Sequence, residues 1–289
     1  MAGKVNHDYH ILEPDIWPLV GSFSALTFTS GMVLSFHPDL FGSASSIVMW
    51  AGLAGLIATF FMWFRNIVIE AERGDHTPVV QLHMRYGMIL FIASEVMFFV
   101  GWFWSFFDFA LFPAPLTYDA AADTTTSLFG ETGAIAAFIP AGMEVLDPFA
   151  LPLLNTLILL CSGTTVTWAH HSLIHGDREG LKNGLWATIG LGLLFSAIQA
   201  YEYSVAPFGF GGNTYSSAFY MATGFHGFHV VIGTIFLAVC LYRAYLGHFT
   251  PRQHFGFEAA AWYWHFVDVV WLFLFVAIYV WGGWGAEYH

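Results

Sequence analysis

Seven long apolar stretches, joined by short polar connections, constrain the fold of this chain more than any other feature. They run over 16–36, 46–64, 86–112, 149–169, 184–206, 216–242 and 257–284. Each is close to or above the ~20 residues that a helix needs to cross ~30 Å of hydrocarbon. Backbone groups in that hydrocarbon find no water, so each segment must satisfy its own as a helix. The pattern predicts an all-α membrane protein with seven transmembrane helices. These spans leave no room in 289 residues for a large soluble domain.

Charge gives the expected topology. Lys4 precedes span 1, and Arg65, Arg73 and Arg85 lie around the connection between spans 2 and 3. Arg178 and Lys182 lie between spans 4 and 5, and Arg243 and Arg252 between spans 6 and 7. The alternate connections carry no basic residue. Loop 113–148 holds Asp119, Asp123, Glu131, Glu144 and Asp147. The positive-inside rule then puts the N-terminus inside and the C-terminus outside. Residues 1–15 are polar and lack an apolar core, so span 1 is expected to act as the insertion signal. A net charge of −12 argues against nucleic acid as a partner.

Spans 1 and 2 read as a hairpin. The expected division is 1–66 (N-terminal tail and two-helix hairpin), a cytoplasmic connection at 67–84, and a five-helix bundle at 85–289 with an outer loop at 113–148. No inverted internal repeat of the transporter kind is visible. Ala51 with Gly55, and Gly224, Gly227 and Gly233, are candidates for close helix contact. Trp102, Trp104, Trp262, Trp264, Trp281 and Trp284 read as interfacial belts. Cys161 and Cys240 both fall inside spans and read as small packing residues.

Glu95 is the sharpest chemical signal, about ten residues into span 3. The positions three and four away are Ile92, Phe91, Phe98 and Phe99, so its own helix offers no partner. An ionised carboxylate there is expensive, so the group is expected to be neutral or paired across the bundle. It reads either as a proton-linked or inhibitor-reactive carboxyl, or as a neutral acid that ties two helices. His226 and His229 on span 6 are the expected partners. Asp268 on span 7 is the second such acid, with His265 three residues earlier and a local Asp–His bond within reach. Asp108 and Glu202 read as solvated helix ends.

Fourteen histidines raise the possibility of haem or copper, but no convergent ligand set with supporting groups is visible. No metal site is expected, and no redox cofactor motif is present. Trp63, Arg65, Glu70, His76, Arg243, His248 and His254 all fall near one membrane surface. They read either as a lipid phosphate pocket or as ordinary interfacial anchoring.

HTPVVQ (76–81), RYGMILFIASEVMFF (85–99), LPLLNTLILLCSG (151–163), TWAHHSL (167–173), MATGFHGFHVVIGTIFL (221–237) and HFGFEAAAWYWHFVDVVWLFLFVAIYVWG (254–282) stand in this order. With NHDYHIL near the N-terminus, the chain closely resembles subunit III of cytochrome c oxidase, in the haem–copper oxidase superfamily. Its form is similar to the bacterial subunit, close to the mitochondrial one.

That resemblance implies helices 1–2 splayed from helices 3–7, with phospholipid held in the V-shaped cleft between them. It implies a cofactor-free accessory role. Haem a and copper belong to subunits I and II, which oxidise cytochrome c, reduce dioxygen and pump protons. It implies direct binding to subunit I, with subunit II and a small subunit as further partners. The setting it implies is the bacterial plasma membrane or the mitochondrial inner membrane. Glu95 matches the family's carbodiimide-reactive carboxyl and Asp268 its second membrane acid. Trp63, Arg65, Glu70, His76, Phe91, His229, Arg243, His248 and His254 match its lipid-headgroup positions. His7 and His10 fall on the proton-uptake side and are candidates for collecting protons. Two other functions compete: a proton-coupled transporter using Glu95 and Asp268, and a membrane haem protein using the histidines.

Overall fold

A computed structural model of the chain describes residues 8–11, 14–37, 42, 44–112, 117–119, 124–126, 138–140, 142–211 and 213–289. Seven of its helices are long and apolar enough to cross a membrane. They are α1 (Trp17–Ser35), α2 (Ala44–Arg73), α3 (Pro78–Leu111), α4 (Leu151–Ile174), α5 (Arg178–Val205), α6 (Thr214–Tyr245) and α7 (Phe255–Leu274). A π-helical segment, Phe275–Trp281, continues α7. Two short strand pairs complete the described elements. β1 (Thr117–Asp119) runs antiparallel to β2 (Thr124–Thr126), and β3 (Glu144–Val145) runs parallel to β4 (Glu287–Tyr288).

Local chemistry sets several helix starts. Pro18 and Pro152 stand in the first turns of α1 and α4, where a missing N–H costs nothing. Asp177 caps α5 by accepting from the Gly180 amide, and Asn213 caps α6 by accepting from Ser216.

The helices outrun the apolar stretches at the basic end. The connection expected over 67–84 is helical on both sides, since α2 continues to Arg73 and α3 begins at Pro78. Hydropathy falls at the first charges, but the backbone ladder continues through them. Gly74, with φ of 84°, ends α2 in the left-handed region that glycine adopts without strain.

Backbone contacts divide the chain into two compact units, Met1–Met84 and Arg85–His289. In the first, α1 and α2 pack at very close range. A Cβ on Gly31 would strike the backbone of Met49, and one on Gly52 the backbone of Phe28. Gly55 meets Ser24 in the same seam, where small residues let backbones approach. The segment before α1 folds back on its own unit. Thr77 Oγ1 donates to the Asp8 carbonyl at 2.6 Å, and Asn66 Nδ2 to Asp15 Oδ2 at 3.0 Å.

In the second unit α4 packs on α5, α5 on α6, α6 on α7, and α7 returns to α4. Helix α7 carries the core. Trp264 and Trp271 are fully buried, and their indole N–H groups donate to Ser162 Oγ and Thr156 Oγ1 on α4, each at 2.9 Å. The Trp264 ring lies in a slot between two glycines. A Cβ on Gly192 would fall 2.7 Å from it, and one on Gly233 2.9 Å. Trp264 is therefore a core residue and not part of an interfacial belt. Gly233 makes the close contact expected of it, whereas Gly224 and Gly227 have nothing within 4 Å of an added Cβ.

From Arg85 onward, α3 is held to this bundle by side chains. Phe98 meets Phe225 edge-on at 5.0 Å, Trp102 stacks on Phe225 at 5.1 Å, and Phe103 meets Phe273 at 4.5 Å. Near its first charged end, Arg85 grips Glu258 of α7 through two nitrogens, at 2.9–3.1 Å.

Candidate functional site

Glu95 lies on α3 midway between the Arg85 clamp and the last turn. Its Oε2 stands 2.8 Å from Nε2 of His229 on α6. His229 Nδ1 is 2.6 Å from the carbonyl oxygen of Phe225. A carbonyl oxygen only accepts, so Nδ1 carries a hydrogen. The Nε2···Oε2 contact then holds one proton between two otherwise repelling lone pairs. Whichever atom carries that proton, the pair as a whole is neutral. A neutral pair is what a low-dielectric setting tolerates. Aromatic rings surround the imidazole, with Phe99 at 4.9 Å, Phe98 at 5.9 Å and Tyr263 at 6.4 Å from its centre, while the Glu95 side chain stays partly exposed.

His226 does not join Glu95. One turn away on α6, it is fully buried and its Nε2 is 3.0 Å from the Val267 carbonyl on α7. Its ring packs between Phe99, Phe195 and Trp271. The three-residue spacing turns the two imidazoles toward different helices.

Asp268 is buried against α4. A Cβ on Gly163 would fall 2.6 Å from its Oδ2, and its Oδ1 has no hydrogen-bond partner among the described residues. The local bond to His265 is not formed; His265 Nε2 instead lies 3.2 Å from Thr167 Oγ1 on α4.

Glu202 corrects the sequence reading outright. It is fully buried near the end of α5, not a solvated helix end. Its Oε1 accepts from Tyr279 at 2.7 Å and from Gln199 Nε2 at 3.0 Å. Gln199 in turn accepts from Asn155 Nδ2 at 3.3 Å. The π-helical turn carries Tyr279, and such turns re-aim side chains. No periodicity in the sequence announces this turn. The Gln-x-x-Glu spacing at 199–202, inside an apolar stretch, was the available signal for the network.

The residues matched to lipid headgroups fall in both units. In the first, Trp63 and Arg65 are exposed, and Glu70 Oε2 lies 3.8 Å from His10 Nε2 and 3.9 Å from His76 Nε2. In the second, Phe91 stacks on Tyr263 at 6.3 Å, and the Arg243 guanidinium lies 4.7 Å over the Phe249 ring. His254 Nδ1 is 3.0 Å from the Thr250 carbonyl and its ring meets His170, while the His248 amide bonds the Arg243 carbonyl. His7 lies outside the described residues, as does most of loop 113–148. No group of three or more His, Cys, Asp or Glu is placed to hold a metal ion among the described residues.

A family model described as cytochrome c oxidase subunit III matches residues 7–283. The chain belongs to the cytochrome c oxidase subunit III family. Curated relatives agree. "Cytochrome c oxidase subunit 3" of Danio rerio is 52% identical over 277 residues, covering 96% of this chain and 98% of the relative. The protein of the same name from Marchantia polymorpha is 50% identical over 284 residues, covering 98% of this chain and 100% of the relative. That of Cyprinus carpio is 51% identical over 277 residues, with 96% and 98% covered. Membership in the subunit III family leaves the transporter reading without support. The subunit III match also spans both α3 and α6, the helices that supply Glu95 and His229.

Proposed function

We propose that this chain is the non-catalytic accessory subunit of a proton-pumping cytochrome c oxidase, embedded in a bacterial plasma membrane or mitochondrial inner membrane. The near-complete family match carries the reading. Partner subunits I and II hold haem a and copper, oxidise cytochrome c and reduce dioxygen. This chain binds the flank of subunit I, stabilises it and supports its proton uptake, with subunit II and a small subunit nearby. The basic connections face the cytoplasm or matrix, which puts the N-terminus inside and the C-terminus outside. The hairpin 1–66, the connection 67–84 and the bundle 85–289 are its working parts.

The test is copurification. Tagged chain extracted from its own membrane in mild detergent should bring down a haem-bearing partner. After dissociation from that partner it should be colourless in the visible. Haem retained by the separated chain, or recovery without any haem partner, overturns the reading.

Phospholipid headgroups are proposed at Trp63, Arg65, Glu70 and His76 in the first unit. In the second they are proposed at Phe91, His229, Arg243, His248 and His254. Glu95 and Asp268 are the intramembrane carboxylates of this proposal. His7 and His10 are proposed as proton collectors for subunit I. His10 lies beside Glu70, which supports a surface that relays charge. Replacing both histidines with alanine should slow proton uptake by the intact oxidase at high pH. An unchanged rate removes them from that role.

A further inference from the structure

The half of α3 that leads away from Arg85 carries a feature that the family reading does not use. Val100, Phe103, Trp104, Phe107, Asp108 and Phe112 line an open groove of about 400 Å³, with Phe273 of α7 as its far wall. Its floor is built from rings, with Phe103 edge-on to Phe273 at 4.5 Å and Phe107 on Trp281 at 5.3 Å. Trp104 and Phe112 are 74% and 73% exposed, so this wall is a free edge of the chain. From Val100 to Asp108 the helix rises roughly 12 Å, most of the ~15 Å of one leaflet's hydrocarbon. The groove therefore matches a single acyl chain lying along the helix.

Its mouth is charged. Asp108 stands one turn before the end of α3, where the apolar stretch runs out. Its carboxylate is exposed and has no hydrogen bond or ion pair among the described residues. This chain is poor in possible counter-ions there. No Lys or Arg occurs between Arg85 and Arg178, and none follows Arg252. An apolar groove spanning most of one leaflet, with an unpaired carboxylate at its mouth, calls for a ligand with a long apolar tail and a cationic head. A primary ammonium suits the carboxylate better than a quaternary one, because it also donates hydrogen bonds.

We propose that this groove is a specific site for phosphatidylethanolamine, with one acyl chain along Val100–Asp108 and the ammonium on Asp108. The site is distinct from the phosphate-type residues at the basic end of the chain. It recognises the ammonium of a headgroup rather than its phosphate, in the opposite leaflet.

The test uses the intact complex in nanodiscs of phosphatidylethanolamine and phosphatidylglycerol, each carrying in turn a photoreactive acyl chain. The wild-type complex should give ethanolamine-lipid adducts on the peptide spanning 100–112, and the glycerol lipid should give few. Asp108→Asn should cut the ethanolamine adducts about fivefold, the effect of one interfacial charge contact, and leave adducts elsewhere unchanged. Asp108 is exposed, so that variant should assemble normally. Val100→Trp fills the groove floor and should remove the adducts with Asp108 intact. Equal labelling by both lipids, or labelling that survives either substitution, overturns the proposal. So does a partner protein chain found seated in the groove with its own cation on Asp108.

Discussion

Trp264→Ala should destabilise the helical bundle by about 3–5 kcal/mol, the range for removing a large buried aromatic side chain. Three losses coincide at this position. The indole fills a slot formed by Gly192 on α5 and Gly233 on α6, so its removal leaves a void that neither glycine can fill. Its N–H satisfies Ser162 Oγ on α4, so a buried hydroxyl loses its donor. The ring touches three helices at once, and in lipid such packing is the main force between them. The measurement is the unfolding midpoint of the purified protein in nanodiscs, compared with Trp104→Ala. Trp104 is exposed, so its replacement should move the midpoint little. Trp264→Phe keeps most of the ring and should fall between the two. A Trp264→Ala midpoint equal to that of Trp104→Ala would show that the slot contributes nothing.

Glu202→Ala should cost about 2–5 kcal/mol, because it strands two buried donors at once. Tyr279 and Gln199 both direct their hydrogens at Glu202 Oε1. Glu202→Gln retains an acceptor oxygen at nearly the same place and should lose less than half as much. Tyr279→Phe removes one of the two donors, so its effect and that of Glu202→Ala should be clearly non-additive in the double variant. Additive effects would mean that the two residues stabilise the bundle separately. Midpoints of the four proteins decide this without any activity assay.

The spans were legible because hydrocarbon imposes a length and a composition that any sequence must display. Glu95 was legible for the same reason, since a carboxyl among phenylalanines needs a partner. His229 and His226 were equally good candidates in sequence. Only the rotation of α6 turned the first to α3 and the second to the Val267 carbonyl. Glu202 was misread because distance along the chain from a span end is a poor guide to exposure. The end of α5 is roofed by Tyr279, which is itself fully enclosed. Trp264 was misread because tryptophan near a polar connection usually marks the interface, and the facing glycines that admit it sit on two other helices. The continuation of α2 through Glu70–Arg73 was missed because hydropathy records the solvent a residue prefers, not the hydrogen bond its backbone makes. The groove beside Asp108 needs Phe273, more than 160 residues further on, so no local motif could announce it.

The single shared hydrogen between Glu95 and His229 has an electrical corollary. A lone charge carried across the bilayer exchanges about 2.3 kcal/mol with each 100 mV of membrane potential. A couple with zero net charge is invisible to that field when it moves as a body, and only the short hop of its hydrogen from one atom to the other can sense voltage. The contact between α3 and α6 can thus keep its strength in energised and de-energised membranes alike.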